Sequence, residues 1–247
     1  MISEKIAIAT TTFYKPNSEV DINREQIARK TLRKASDKGY SVFVVDGGST
    51  EEFLKEIEKY NNIKIFPELE RGMGKSRRQV MKEAYNSEKT FVTWTEPEKE
   101  SYIDNIEMVG EYMQATNLDL VVPTRTSLDS YPTTQQYAEK FGNSVWKELT
   151  GTNLDMWGGM RMFKRDLTNY FLNYEGKYGD LWDSIFIPVM DAIKDGKKVG
   201  SFNINYVHPL FQTEFEEGNV ELSIKRLKQL ENLIPALKTH WESYSSK

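Results

Sequence analysis

Ser41–Thr50 reads SVFVVDGGST. Val42 to Val45 form a short unbroken apolar run, and turn residues come directly after it. That is the pattern of a strand buried on both faces, as in a parallel sheet covered by helices, rather than the alternation of a half-solvated strand. Asp46 closes the run with a side chain that can accept hydrogen bonds from a base or ribose. Gly47 and Gly48 let the backbone turn or come close to a ligand, and Ser49 or Thr50 can N-cap a helix predicted over 50–60. A plain strand-to-helix turn would use the same residues.

The same alternation recurs along the chain. Strands are predicted at Lys5–Thr12 (KIAIATTT), Ile63–Phe66, Thr90–Thr95 and the segment LDLVVPT. Between them, Arg24–Lys38 has a charged helix pattern stopped by Gly39. Val80, Met81, Ala84 and Tyr85 make a helical stripe running to about Asn86, and Tyr102, Ile106, Val109 and Met113 make another. Buried strands alternating with helices predict an α/β fold with a mostly parallel central sheet flanked by helices. Beyond Thr124 the pattern loosens. Helices are predicted over Tyr131–Leu149 and Asp183–Lys194, with strands at GGMRMFK and Lys198–Val207. A closing helical stripe starts at Val220, and Pro235 predicts a kink or restart in it. No linker or repeat divides the chain, so it reads as one domain.

Composition narrows the chemistry. The 247 residues carry a net charge of −4, no cysteine and only two histidines, His208 and His240. Disulfides, thiol nucleophiles and cysteine-ligated zinc are thereby excluded. The negative balance has no electrostatic footprint for nucleic acid, so an anionic substrate must be held by local groups. No apolar run approaches the roughly 18 residues needed to cross a bilayer. With no signal-peptide pattern at the start, the expected location is the cytoplasm.

In open α/β sheets ligands bind at the carboxyl ends of the strands. The segments leaving those ends are therefore the candidate site: Thr10–Tyr14, then Asp46–Thr50, then Glu70-Arg71-Gly72-Met73-Gly74-Lys75-Ser76. The glycine-rich RGMGKS segment enters a helix and suits an anion. It is neither a Walker A loop nor a dinucleotide fingerprint, since both spacings are absent. The fourth strand ends in Glu96-Pro97-Glu98, two carboxylates stiffened by proline, which form either a solvated turn or a site for magnesium or manganese. Asp180 and Asp183 stand at a helix start, where the helix dipole also favours acids. His208 precedes Pro209 at a strand end. Trp157-Gly158-Gly159 forms either a sugar-stacking wall or a buried corner.

Taken in order, these residues resemble the nucleotide-sugar glycosyltransferases of the GT-A fold, in particular the family-2-like group. That group has VDDGS or VDGGS (here Val45–Ser49), then a glycine- and basic-rich helix start (Arg71–Arg78). A strand ending in Asp-x-Asp comes next, here Glu96-Pro97-Glu98, and then a Gly-rich segment ending in Arg-Asp, here GGMRMFKRDL. The closing His208-Pro209 is similar to mannosylglycerate synthase-type retaining enzymes. The resemblance covers roughly Lys5 to Pro209.

It implies a GT-A (Rossmann-like) domain over 1–247. Residues 1–125 would bind the nucleotide sugar, 126–218 would form the acceptor side, and 219–247 would form a C-terminal helix. The apolar stripe of that helix is read as a homodimer contact or as packing against its own domain. Thr10, Thr11, Thr12 and Asp46 would contact the nucleoside. Arg71, Gly72, Gly74 and Lys75 would hold the diphosphate or ribose. Glu96, Glu98 and His208 would hold Mg2+ or Mn2+, and Asp180 or Asp183 would bind the donor sugar or act as general base. The implied reaction is sugar transfer from a nucleoside-diphosphate sugar to an acceptor hydroxyl. Glutamates stand where the family has aspartates, and Gly47 replaces the second aspartate. The alternatives are a non-catalytic relative binding a sugar nucleotide or protein, and a sugar-phosphate nucleotidylyltransferase. The latter normally has a Gly-rich arginine loop after the first strand, absent here.

Overall fold

A computed structural model of the chain describes residues 2–243. Met1 and residues 244–247, the last part of the expected C-terminal helix, lie outside the described residues. The strands β1 (Ile6–Thr12), β2 (Ser41–Asp46), β3 (Ile63–Pro67), β4 (Phe91–Trp94), β5 (Leu120–Arg125), β6 (Arg161–Lys164) and β7 (Val199–Ile204) form one sheet. Their order is β3-β2-β1-β4-β6-β5-β7. Only β6 runs antiparallel to its neighbours, between β4 and β5. The helices are α1 (Glu19–Asp37), α2 (Glu51–Ile57), α3 (Met73–Asn86), α4 (Ile106–Thr116), α5 (Thr133–Thr150), α6 (Thr168–Leu172), α7 (Asp183–Lys194), α8 (Leu210–Glu216) and α9 (Val220–Ser243).

The unbroken apolar runs arise because both sheet faces are covered. Side chains alternate across a strand, so Ile6, Ile8, Val42 and Val44 pack with α1, α2 and α4 on one side. Ala7, Ala9, Phe43, Val45, Val92 and Trp94 pack with α3, α5, α6, α7 and α9 on the other. Parallel register sets the strand ends beside one another. Thr12 is level with Asp46, and Asp46 with Pro67. Strand β4 stops earlier, with Trp94 beside Ala9. The chain leaving β4 therefore continues alongside the end of β1, where Thr95 N–H donates to the Ala9 carbonyl at 3.3 Å.

Several elements depart from the sequence pattern. Helix α1 begins at Glu19 rather than near Arg24, because Ser18 Oγ caps it by accepting from Asp21 N–H at 3.2 Å. Short helices α6 and α8 interrupt stretches with no helical stripe. Helix α9 runs uninterrupted through Pro235 instead of restarting. Pro235 sits on the exposed side, and Leu233, Ala236 and Leu237 flank it in the core, so packing offsets the missing hydrogen bond. The inner face of α9 packs against its own chain, while Val220, Ile224 and Leu227 stay exposed. No helix among the described residues is long and apolar enough to cross a membrane.

The second half is tied to the sheet by buried charges. Arg125, at the end of β5, donates through Nε to Asp155 Oδ2 at 2.7 Å and through Nη2 to Oδ1 at 2.8 Å. Its Nη1 lies 2.6 Å from Glu139 Oε2 on α5, and Asn143 donates to Asp155 at 2.7 Å. Burial acts to raise the Asp155 pKa, but the hydrogen bonds and charge of Arg125 outweigh it and hold the carboxyl below its ordinary range. Removing one partner of a buried pair strands the other, so Asp155→Asn is expected to cost about 3–5 kcal/mol in urea unfolding at neutral pH. A carboxyl with a depressed folded pKa contributes its full stabilisation only above its unfolded value. The gap between wild type and variant is therefore expected to shrink as pH falls below about 4.

Candidate active site

A cleft of about 780 Å³ opens at the carboxyl ends of β1, β2, β3 and β4. Thr11 and Thr12 line it from β1, Gly47 from the turn after β2, and Arg71 and Gly72 from the entry to α3. Glu96, Glu98 and His208 also line it, as does Asp183 at the start of α7. Eight of the thirteen site residues expected from the sequence therefore share one cavity.

The other five are placed elsewhere, each for a visible reason. Thr10 is buried in β1. Asp46 is engaged by its own turn: Oδ1 accepts from Thr12 Oγ1 at 2.7 Å and from Ser49 Oγ, and Oδ2 accepts from the N–H groups of Gly48 at 2.8 Å and Ser49 at 2.9 Å. Four donors saturate the carboxylate, so its role in this geometry is to shape the GGST turn. Lys75 points to Glu70, with Nζ and Oε2 2.7 Å apart at the surface. Gly74 faces the loop before α7 instead of the cleft. Its N–H donates to the Asp180 carbonyl at 2.9 Å, and a Cβ there would stand 1.9 Å from Asp180 Oδ1.

Asp180 is the fifth, and its separation from Asp183 decides between the two acids. Asp180, at φ +59°, takes a two-pronged grip from Arg78, Nη1 to Oδ1 at 2.5 Å and Nη2 to Oδ2 at 2.8 Å. Asp183 lines the cleft while largely buried. Its Oδ2 accepts from Tyr174 O–H at 2.5 Å and Asp180 N–H at 3.2 Å, and its Oδ1 from Leu181 N–H at 2.6 Å.

Sequence reasoning gave Arg77 no role of its own, although a signal existed. It falls on the helical stripe shared with Val80, Met81 and Ala84, where a charge is out of place. Arg77 is 4% exposed and donates to the Leu181 carbonyl at 2.7 Å and to Ser184 Oγ at 3.0 Å. Its guanidinium lies over Trp94 at 5.3 Å and Trp182 at 4.8 Å. Burial pushes its pKa down to about 10, which leaves it charged at neutral pH. Arg71, by contrast, makes no ion pair among the described residues and faces the cleft at the entry to α3, where an anion would lie. Trp157 walls the cleft and packs edge-on against Phe186 at 4.8 Å. Helix α9 forms a further wall through Lys225, Arg226, Gln229 and Leu233.

The chemistry of a cation site is present after β4. Glu98 Oε1 accepts from Tyr14 O–H at 2.7 Å. Burial, and then the charge of Glu96, raise the Glu98 pKa, so the two carboxylates repel each other as a cation-free pair would. His208 is 3% exposed, and neither ring nitrogen has a hydrogen-bond partner among the described residues. Burial, and then the charges of Lys99, Arg226, Arg125 and Arg24, lower its pKa to about 2. The imidazole is thus neutral, the form that ligates metal. Two acids and an unsatisfied neutral imidazole facing one cleft fit a hard divalent cation, although among the described residues no three such side chains already converge on one point.

Residues 22–171 match the family model for glycosyl transferase family 2. The chain belongs to that family. Membership makes it a transferase and sets aside the nucleotidylyltransferase reading. The match spans β2 to β6 and leaves Thr10–Thr12, Asp180, Asp183 and His208 outside it. No curated protein sequence matches. Among solved structures, glucosyl-3-phosphoglycerate synthase from Mycobacterium tuberculosis, in complex with Mn2+, UDP-glucose and phosphoglyceric acid, is 12% identical with a TM-score of 0.64, over 95% of this chain and 80% of that one. S. aureus TarS 1-349 is 15% identical with a TM-score of 0.55, over 81% of this chain and 59% of that one. These likenesses are of fold, and they agree with the GT-A architecture the sequence resembles.

Because any β-carbon at position 74 meets both the carboxylate and the carbonyl of Asp180, Gly74→Ala is expected to force the loop off α3. Overpacking of this kind costs about 1–3 kcal/mol. Urea unfolding would read the loss, and faster proteolysis between Gly176 and Asp183 would report the freed loop.

Proposed function

We propose that this family-2 protein transfers a sugar from a nucleoside-diphosphate sugar to an acceptor hydroxyl with the help of a divalent cation. The observation that carries the reading is the gathering of Thr11, Thr12, Arg71, Glu96, Glu98 and His208 around one cleft at the strand ends. The nucleoside lies against Thr11, Thr12 and the Gly47 backbone. Arg71, with the positive end of the α3 dipole behind it, holds the diphosphate. Glu96, Glu98 and His208 would hold magnesium or manganese, which would supply positive charge against the departing nucleoside diphosphate.

In the transfer, the bond from the anomeric carbon to the diphosphate oxygen breaks and one to the acceptor oxygen forms. The acceptor's proton must pass to a base. Asp183 faces the cleft while Asp180 is held by Arg78, so Asp183 is the residue we assign to the donor sugar or to that proton. Its three hydrogen bonds from Tyr174 and the backbone hold the carboxylate in one orientation. Trp157 and Trp182 present aromatic surface to the sugar.

Calorimetry with UDP, GDP, ADP and TDP, each with and without Mn2+, tests this. One of them is expected to bind, and more tightly with Mn2+. Glu98→Ala is expected to remove the Mn2+ effect and to lower kcat by about 100-fold or more, the scale of losing one group that offsets developing charge. Absence of binding by every nucleotide under both conditions would sink the transferase reading. A Glu98→Ala variant that keeps the full wild-type response to Mn2+ would sink only the cation site.

A further inference from the structure

The turn that carries Glu96 and Glu98 also carries a cation of its own. Lys99 comes directly after them, and its N–H closes the turn by donating to the Glu96 carbonyl at 3.1 Å. The side chain folds back into the cleft, where Lys99 is 7% exposed. Its Nζ lies 3.7 Å from Glu96 Oε2 and donates to Tyr131 Oη at 3.3 Å. The ammonium also lies 5.3 Å from the centroid of the Tyr206 ring. His208 stacks on the same Tyr131 ring at 4.2 Å. The ammonium therefore lies beside an acid assigned to a divalent ion and shares Tyr131 with the imidazole assigned to the same ion.

Two cations cannot share one carboxylate at such range without mutual repulsion. The two tyrosines matter here, because the Tyr131 hydroxyl and the Tyr206 ring hold an ammonium without consuming a carboxylate. Lys99 can thus give up Glu96 and still keep Tyr131 and Tyr206.

We propose that Lys99 is a built-in competitor of the divalent cation, neutralising Glu96 in the ion-free protein and yielding it when the ion arrives. A bare ion meets this positive charge and binds weakly. An ion arriving with a nucleoside diphosphate brings its own negative charge and binds well. Lys99 thereby couples cation binding to donor binding. It acts through Glu96 as a positioning residue and does not touch the reacting atoms.

The inference rests on the cation reading above, and the test separates the two. Free Mn2+ is measured by electron paramagnetic resonance during titration of the full chain, with and without UDP. Compared are the wild type, Lys99→Met, Lys99→Arg and Glu98→Ala. Lys99→Met is expected to bind Mn2+ alone about tenfold more tightly, equivalent to about 1.4 kcal/mol of relieved repulsion. Its enhancement of Mn2+ affinity by UDP is expected to be smaller than that of the wild type, while Lys99→Arg keeps wild-type values. If Lys99→Met melts too low to titrate, Lys99→Gln carries the same expectation. Unchanged or weaker Mn2+ binding by the neutral variants, with binding still abolished in Glu98→Ala, would overturn the role of Lys99 and leave the cation site standing. Binding that is absent in both wild type and neutral variants, or indifferent to Glu98→Ala, would overturn both.

Discussion

A guanidinium withdrawn from water must be given partners, or its burial cannot be sustained. Arg77 is such a group, and the shape of the cleft depends on how it is satisfied. Its partners are the Leu181 carbonyl and Ser184 Oγ, which belong to the loop entering α7 and its first turn. Arg78 grips Asp180 beside it, and Gly74 N–H meets the Asp180 carbonyl. The first turns of α3 thus dock the segment 180–184. That docking brings Asp183 and Trp182 against the strand ends, far along the chain from the residues they face.

A second constraint is electrostatic. The chain is acidic overall, yet its cleft holds Arg24, Arg71, Arg77, Lys99, Lys225, Arg226 and Lys228 among the acids. Most of these cations are already committed. Arg24 and Arg226 both pair with the buried Glu216, at 3.0 and 3.1 Å. Arg77 is tied to the loop before α7, and Lys99 to Glu96. Arg71, together with Lys225 and Lys228 on α9, has no ion pair or such a tie among the described residues. Anion recognition therefore falls to these few uncommitted groups rather than to a general positive field.

The strands and most helices were legible because covered parallel strands and amphipathic helices write their burial into residue order. SVFVVD, IAIATTT and FVTW have the composition of strands wet on neither face. The site was legible as a set of strand ends, since the topology of an open parallel sheet places those ends together. The direction each polar side chain takes was not legible. Lys75 belongs to a basic helix start and turns to Glu70. Asp46 ends the most telling strand and commits its carboxylate to its own turn. The start of α1 was missed because a serine cap looks like an ordinary loop residue, and the continuity of α9 because packing overrode Pro235.

By itself, then, the sequence determined the sheet, the order of the main helices and the groups that stand at the carboxyl edge, because each depends on local periodicity and on chain direction. Only the tertiary structure decided which arginine of the cleft is left without an ion pair or such a tie, that Asp183 and not Asp180 lines it, and that Lys99 lies beside Glu96. Those outcomes come from competition among many charged groups for a limited number of buried partners. Sequence spacing does not encode the winner of that competition, because the competing groups are brought together from distant parts of the chain.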